Sequence, residues 1–231
     1  MLSFENLRIA RGDFTLNADF TLEQGLSLAL IGPSGAGKST LLDVIAGYLQ
    51  PVSGRVLWQG EDITGLPPGK RPISMLFQDN NLFPHLTVAQ NIGLGIRPSL
   101  KLSATEQDSL QQALNRVGLP DMAERKPGSL SGGQQSRVAL ARVLVQRRPL
   151  VLLDEPFSAL GPALKHDMLR LVSDLMNETG GTLIMVSHEP EDAQLIADVT
   201  SVVAQGTVTA PQATADLFEN PPPLLREYLG T

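Results

Sequence analysis

The chain has 231 residues, 42% of them hydrophobic, enough for a packed core in one domain or in a domain plus subdomain. Its net charge of −6 argues against a nucleic-acid groove as the main working surface. There is no cysteine, which excludes disulfides and thiolate chemistry.

The opening segment MLSFENLRIARGDF lacks a basic stretch followed by an apolar one, so no signal peptide is expected. FTLNADFTL (Phe14–Leu22) alternates apolar and polar residues, the pattern of a half-buried strand. LSLALI (Leu26–Ile31) is continuously apolar and suits a central parallel strand. No apolar run approaches the roughly 18 residues of a membrane span. A glycine-rich loop follows, then STLLDVIAG as a helix closed by Gly47, with Pro51 beyond it. SGRVLWQGEDI reads as a short hairpin turning at Gln59-Gly60, and Pro72–Gln78 as another strand.

From about Pro84 to Ser129 the pattern turns helical. Thr87 is placed to cap VAQNIGLGI, and Ser103 with Glu106 has capping-box spacing before a helix that stops at Gly118. PLVLLDEP is then a buried strand, PALKHDMLRLVSDLMNETG a helix and GTLIMVSHE a strand. EDAQLIADVT is expected to be helical, SVVAQGTVTA a hairpin at Gln205-Gly206, and ATADLFENPPPLLREYLGT a short helix broken by three prolines. Strands alternating with helices predict an α/β fold with a mostly parallel sheet, carrying a helical insertion.

Gly32-Pro33-Ser34-Gly35-Ala36-Gly37-Lys38-Ser39 fits the phosphate-loop pattern G-x-x-x-x-G-K-[ST], after a strand and opening a helix. The glycines let successive N–H groups wrap phosphate oxygens, and the helix N-terminus adds partial positive charge. Lys38 reaches the β- and γ-phosphates, Ser39 offers its hydroxyl to Mg²⁺ and Thr40 reaches the α-phosphate. Asp154, leaving the buried strand LVLLD, is positioned for Mg²⁺, and Glu155 to activate an attacking water as general base. Gln78, at the end of MLFQ, is a candidate for contact with the metal or the water; the plainer reading is a solvated strand end. His188, ending LIMVSH, is a candidate for γ-phosphate contact, or a structural histidine.

A second glycine pair stands in Leu130-Ser131-Gly132-Gly133-Gln134, before a helix with Val138, Ala141, Leu144 and Val145 on one face. Its N-terminus is another anion cradle, although a glycine-rich cap and loop is the plainer alternative. One triphosphate does not need two cradles from one chain. Two copies facing head to tail, each closing the other's site, would use both in an isologous C₂ arrangement.

GPSGAGKST, Gln78, LSGGQQSR, LVLLDEP, SAL and His188 occur in the order found in ATP-binding-cassette ATPases, which the chain resembles over essentially its whole length. The resemblance implies a P-loop NTPase fold of cassette type. Its mostly parallel core spans about residues 1–83 and 147–231 with an antiparallel N-terminal part, and a helical signature subdomain spans about 84–146. It implies ATP and Mg²⁺ as ligands, with Ser39, Gln78 and Asp154 at the metal and Glu155, His188 and Gln78 as catalytic residues. Residues 130–134 would bind the nucleotide of a partner subunit. In this family an aromatic stacks on adenine; Arg11 and Phe14 are both candidates here. A second departure is Gly161, where the family's S-A-L-D has an aspartate that helps couple the two sites. The segment RPISMLFQDNNLFPHLTVAQNIGLGIRPSLKLS resembles the ATPase subunits of bacterial thiamine (thiamine pyrophosphate) importers. That implies a homodimer under ATP at the cytoplasmic face of the inner membrane, bound to permease subunits and acting indirectly with a periplasmic solute-binding protein, without nucleic acid. Importers of iron, sulfate or polyamines, a soluble cassette ATPase and a regulator without turnover are the competing expectations.

Overall fold

The computed structural model describes residues 1–229; Gly230 and Thr231, the end of the proline-broken tail, lie outside the described residues. Strands β1 (Leu2–Arg11) and β2 (Phe14–Leu22) form an antiparallel hairpin in which Arg11 pairs with Phe14. The buried residues of β1 are Leu2 and Phe4, then Leu7 and Ile9. The alternation slips at Asn6 (φ 47°), where the pairing shifts register. A bulge of this kind hides a strand from a search for strict period-two patterning. Strand β4 (Ser53–Trp58) adds to β1, and β5 (Glu61–Asp62) adds to β4 through Gln59-Gly60, both at positive φ as a tight hairpin turn requires.

The rest of the sheet is parallel at its centre. β3 (Ser27–Ile31) lies between β8 (Thr182–Val186) and β9 (Val199–Ala204), and β7 (Leu150–Asp154) and β6 (Ile73–Leu76) extend it beyond β8. All four of these pairings are parallel, and β3, β7 and β8 are apolar and buried almost throughout. The short β10 (Thr207–Val208) joins β9 to β2, so the antiparallel and parallel halves make one continuous mixed sheet; β11 (Gln212–Ala213) pairs β9 apart from this path.

Helix α1 (Lys38–Ala46) packs between the two halves in a core that joins Leu41, Leu42 and Ile45 to Phe4, Leu16 and Leu152. Helices α2 (Val88–Ile96), α3 (Ala104–Arg116) and α4 (Gly132–Leu144) pack on one another, and α4 reaches β6. All three start with a capping box: Thr87 with Gln90, Ser103 with Glu106, Ser131 with Gln134. Their core is continuous with one face of the parallel sheet and with α5 (Pro162–Thr179). The opposite face carries α6 (Pro190–Ile196), α7 (Thr214–Glu219) and α8 (Pro223–Leu229).

Two expected boundaries move. The helix expected over EDAQLIADVT stops at Ile196, because the β-branched Val199 and Thr200 pair with Leu28 and Ala29 of β3. β6 ends at Leu76, so Gln78 stands two residues past the strand, in a turn. The prolines of the tail separate two helices, the second beginning at Pro223, where the missing N–H costs nothing.

Arg71 supports the end of α1 from inside the core. It is 1% exposed, and its guanidinium donates to the carbonyls of Val44 (2.7 Å), Ile45 (2.7 Å), Leu66 (2.8 Å) and Thr64 (2.6 Å). These include carbonyls at the negative end of the helix, where a buried cation is well placed. Replacing Arg71→Met strands several buried carbonyls and should cost about 3 kcal/mol, or roughly 6–12 °C in Tm for a chain of this size. A thermal melt within about 2 °C of the parent would contradict this role.

Candidate nucleotide site

The carboxyl ends of the parallel strands gather the polar residues. β3 runs into Gly32–Gly37 and α1, β7 ends on Asp154, and β8 leads through Ser187 to His188. In open α/β sheets this edge is where ligands bind. A cavity of about 410 Å³ opens there, lined by Arg11, Phe14, Ser34, Gly35, Gly37, Lys38, Ser39, Thr40 and Glu155.

Gly37 caps α1 with φ 102°, a conformation that disfavours any side chain. A Cβ there would also stand 2.4 Å from Cζ of Phe14. The Phe14 ring is thus seated against the loop and packed on the core, while still forming part of the cavity wall. Arg11 is exposed, and its charge draws down an Asp43 carboxyl that burial pushes up. Both adenine candidates therefore line the cavity, Phe14 as a fixed wall and Arg11 as an exposed arm.

Lys38 is buried, and its ammonium donates to the carbonyls of Gly32 (2.7 Å) and Pro33 (3.0 Å). Burial lowers its pKa, and the charges of Glu155 and Asp154 partly offset that. Ser39 Oγ donates to Asp154 Oδ1 at 2.9 Å, bringing together two of the three residues expected at the metal. Burial raises the Asp154 pKa; the Ser39 bond and Lys38 oppose this, and the charges of Glu155 and Asp43 add to it. Among the described residues no group of three or more His, Asp or Glu could cage a metal alone. One carboxylate and one hydroxyl beside a phosphate loop do fit Mg²⁺, which takes few protein ligands and completes its shell with water and phosphate. Gln78, the third residue expected at the metal, is exposed and its amide has no hydrogen-bond partner among the described residues.

Glu155 has φ 44°, a strained conformation for a non-glycine residue. It is held there by its N–H bond to Val186 O (3.1 Å), while its carbonyl accepts from the Ser158 N–H (3.3 Å) and hydroxyl (3.2 Å). Its carboxylate Oε2 lies 3.2 Å from His188 Nδ1, so two of the three residues expected to be catalytic are in direct contact, and Gln78 is not among their partners.

Behind His188 stands a cluster that the sequence did not signal. Buried Lys165 on α5 pairs with Glu189 and Asp192, each at 2.8 Å, and Ser187 Oγ donates to Asp192 at 2.5 Å. Burial works to lower the Lys165 pKa, but the hydrogen bonds to Asp192 and Glu189 outweigh it and the net shift is upward. A lysine and two acids over twenty residues away form no local motif.

None of Leu130, Ser131, Gly132, Gly133 and Gln134 lines the cavity. Leu130 is buried in the core. Ser131 Oγ accepts from the Gln134 N–H (3.3 Å) and Gln134 Oε1 from the Ser131 N–H (3.0 Å), so both side chains are engaged locally, Ser131 exposed and Gln134 half-buried. The glycines differ. A Cβ on Gly133 would meet Leu164 Cδ2 at 2.3 Å, so close packing on α5 accounts for it. A Cβ on Gly132 would meet nothing within 4 Å, and its φ is not in the left-handed region. Among the described residues no contact accounts for Gly132. Gly161, the N-cap of α5, is exposed, makes no side-chain cap bond and has room for a side chain.

The model of the family described as ABC transporter matches residues 15–158. The chain belongs to that family. It is 59% identical over 230 residues to the thiamine import ATP-binding protein ThiQ of Cereibacter sphaeroides, covering all of both chains. It is 54% identical over 198 residues to the ThiQ of Escherichia coli K12, covering 86% of this chain and 85% of that one. Among solved structures, a nucleotide-free ATP-binding cassette from an ABC transporter superposes with a TM-score of 0.87 at 26% identity, over 100% of this chain and 99% of that one. A dimeric post-hydrolysis cassette, MJ0796 bound to ADP and Pi, gives 0.80 at 28% identity, over 93% and 99%. The α/β cassette fold with its mixed sheet is the fold expected from the sequence.

The ABC site without ligand holds charges that water would stabilise better. Asp154→Asn keeps the oxygen that accepts from Ser39 and removes the charge. A carboxyl whose folded pKa lies above its unfolded value costs stability once pH exceeds both. The ligand-free variant should therefore melt higher at neutral pH, with the gap closing as pH falls toward the carboxylate range. A variant that melts lower at neutral pH would contradict this.

Proposed function

We propose that this ABC protein is the ATP-hydrolysing subunit of a thiamine importer and that two copies share each nucleotide. ATP supplies a terminal phosphoanhydride for cleavage, and Mg²⁺, held by Ser39 and Asp154 with Gln78 as the expected third contact, would neutralise charge there. Lys38 exchanges its two loop carbonyls for phosphate oxygens, gaining the countercharge that its burial denies it. The N–H groups of Gly32–Thr40, Pro33 excepted, wrap the phosphates, with Arg11 or Phe14 against the base. Glu155 takes a proton from the attacking water on its carboxylate, and His188, 3.2 Å away, orients that carboxylate and reaches the γ-phosphate.

The observation that carries the shared-site reading is Gly132. A glycine costs up to about 1 kcal/mol against alanine in a helix interior, and Gly132, the first residue of α4, gives up part of that with no packing in return. It stands outside its own chain's cavity, at a helix N-terminus whose first N–H groups have no intrahelical acceptor. A phosphate from a second copy fits both facts. Leu130 would support this turn from the core while Ser131, Gly133 and Gln134 shape it. The dimeric cassette among the relatives supports the same reading.

No helix of the described residues is long and apolar enough to cross a membrane, so the proposed membrane contact is through a permease. A groove of about 370 Å³ lined by Tyr48, Phe77, Asn81, Phe83 and Leu94 offers it a docking place, with Tyr48 and Phe83 both exposed. Thiamine as cargo rests on the name and full-length identity of the relatives. The cargo side, by this reading, includes a periplasmic binding protein, with the ATPase on the cytoplasmic face.

Gly132→Gln tests the sharing of the site. Glutamine is the better helix former and its Cβ would have no neighbour within 4 Å, so the melting temperature should hold or rise while ATP turnover falls about tenfold or more. Parent turnover in that variant would contradict the reading. In the purified complex with its permease, thiamine-loaded binding protein should stimulate hydrolysis; stimulation by another solute alone would displace thiamine as the cargo.

A further inference from the structure

We propose that Tyr228, at the far end of the chain, is a positioning residue for the nucleotide site and acts by fixing the main chain at His188. The inference rests on the reading of His188 given above. Helix α8 is anchored by Leu225, which is fully buried beside Ala29 and Ile31 of β3, Ala193 of α6 and Val202 and Ala204 of β9. Tyr228 and Leu229 pack on the same cluster. From that base the Tyr228 hydroxyl donates a short hydrogen bond to the backbone carbonyl of His188, 40 positions earlier. Tyr228 does not line the cavity, so its route to the site runs through the main chain of His188.

The loop around His188 is tied residue by residue. Ser187 N–H bonds to Leu30 O at 3.3 Å, its hydroxyl accepts from the Glu189 N–H at 3.0 Å, and Lys165 holds Glu189 and Asp192. These bonds fix the loop on either side of His188. At His188 itself, the main-chain tie among the described residues is the one from Tyr228. Burial, and the negative charges of Glu155, Glu191 and Glu189, raise the phenol's pKa, which keeps it a donor. The imidazole then meets Glu155 at a fixed angle, as orienting a general base requires. Loss of the tie should let the loop swing, impairing hydrolysis while leaving ATP binding intact.

Tyr228→Phe keeps the ring and removes the bond. In the full-length subunit we expect kcat to fall about three- to tenfold, the factor one hydrogen bond supplies, with KM for ATP unchanged. The same substitution in a His188→Ala background should cause no further loss. Deuterium uptake of the peptide spanning 186–192 should quicken in Tyr228→Phe, with the melting temperature nearly preserved. Parent kcat in Tyr228→Phe, with His188→Ala impaired, would overturn the inference and leave the proposed function standing. So would an additive loss in the double variant, or unchanged uptake by the loop. Full turnover in His188→Ala would overturn the reading of His188 and this inference with it.

Discussion

The crevice at the ends of β3, β7 and β8 gathers a lysine and two carboxylates, and protein atoms alone serve them poorly. Lys38 is buried among loop carbonyls, Asp154 is half-buried beside another acid, and Glu155 is held at an unfavourable φ. Each condition costs stability in the ligand-free chain, and the surrounding core outweighs the sum. A triphosphate with its metal would relieve the lysine and the aspartate at once. The parallel strands deliver these groups to one edge, the glycine loop leaves space between them, and Arg71 secures the far end of the helix that carries Lys38 and Ser39.

The two glycines of the signature turn separate folding from function. Gly133 is required by Leu164 within the chain. Gly132 is open to solvent and has no structural use in one copy. A residue that weakens its own helix and packs on nothing points outward. The capping box of Ser131 and Gln134 fixes the direction of the turn, so the surface offered to a second copy is already ordered before any partner arrives. Gly161 on the nearby α5 leaves that helix without a side-chain cap, and a Cβ there would meet nothing within 4 Å, so the fold does not demand glycine at this position.

Local chemistry is what made the sequence legible. The phosphate loop, the three capping boxes and the hairpin turns at Gln59-Gly60 and Gln205-Gly206 each sit within a few residues, and the structure places them as expected. Ser39 and Asp154 were both expected at the metal, and they meet because α1 opens at the edge where β7 ends. Long-range features left no such trace. β1 was hidden by its bulge at Asn6, and the end of α6 was set by pairing of Val199 with β3. Lys165 with Asp192, and Tyr228 with His188, join positions that share no spacing pattern. A sequence announces what a neighbouring residue can satisfy, and is silent on what the sheet later brings together.

The central claim is that one nucleotide is held by two copies of the chain. Sedimentation of Glu155→Gln with saturating Mg-ATP, at tens of micromolar protein, tests it most directly. The account predicts a particle of two chains that reverts to one chain when ADP replaces ATP; a single chain throughout, with ATP demonstrably bound, would contradict it.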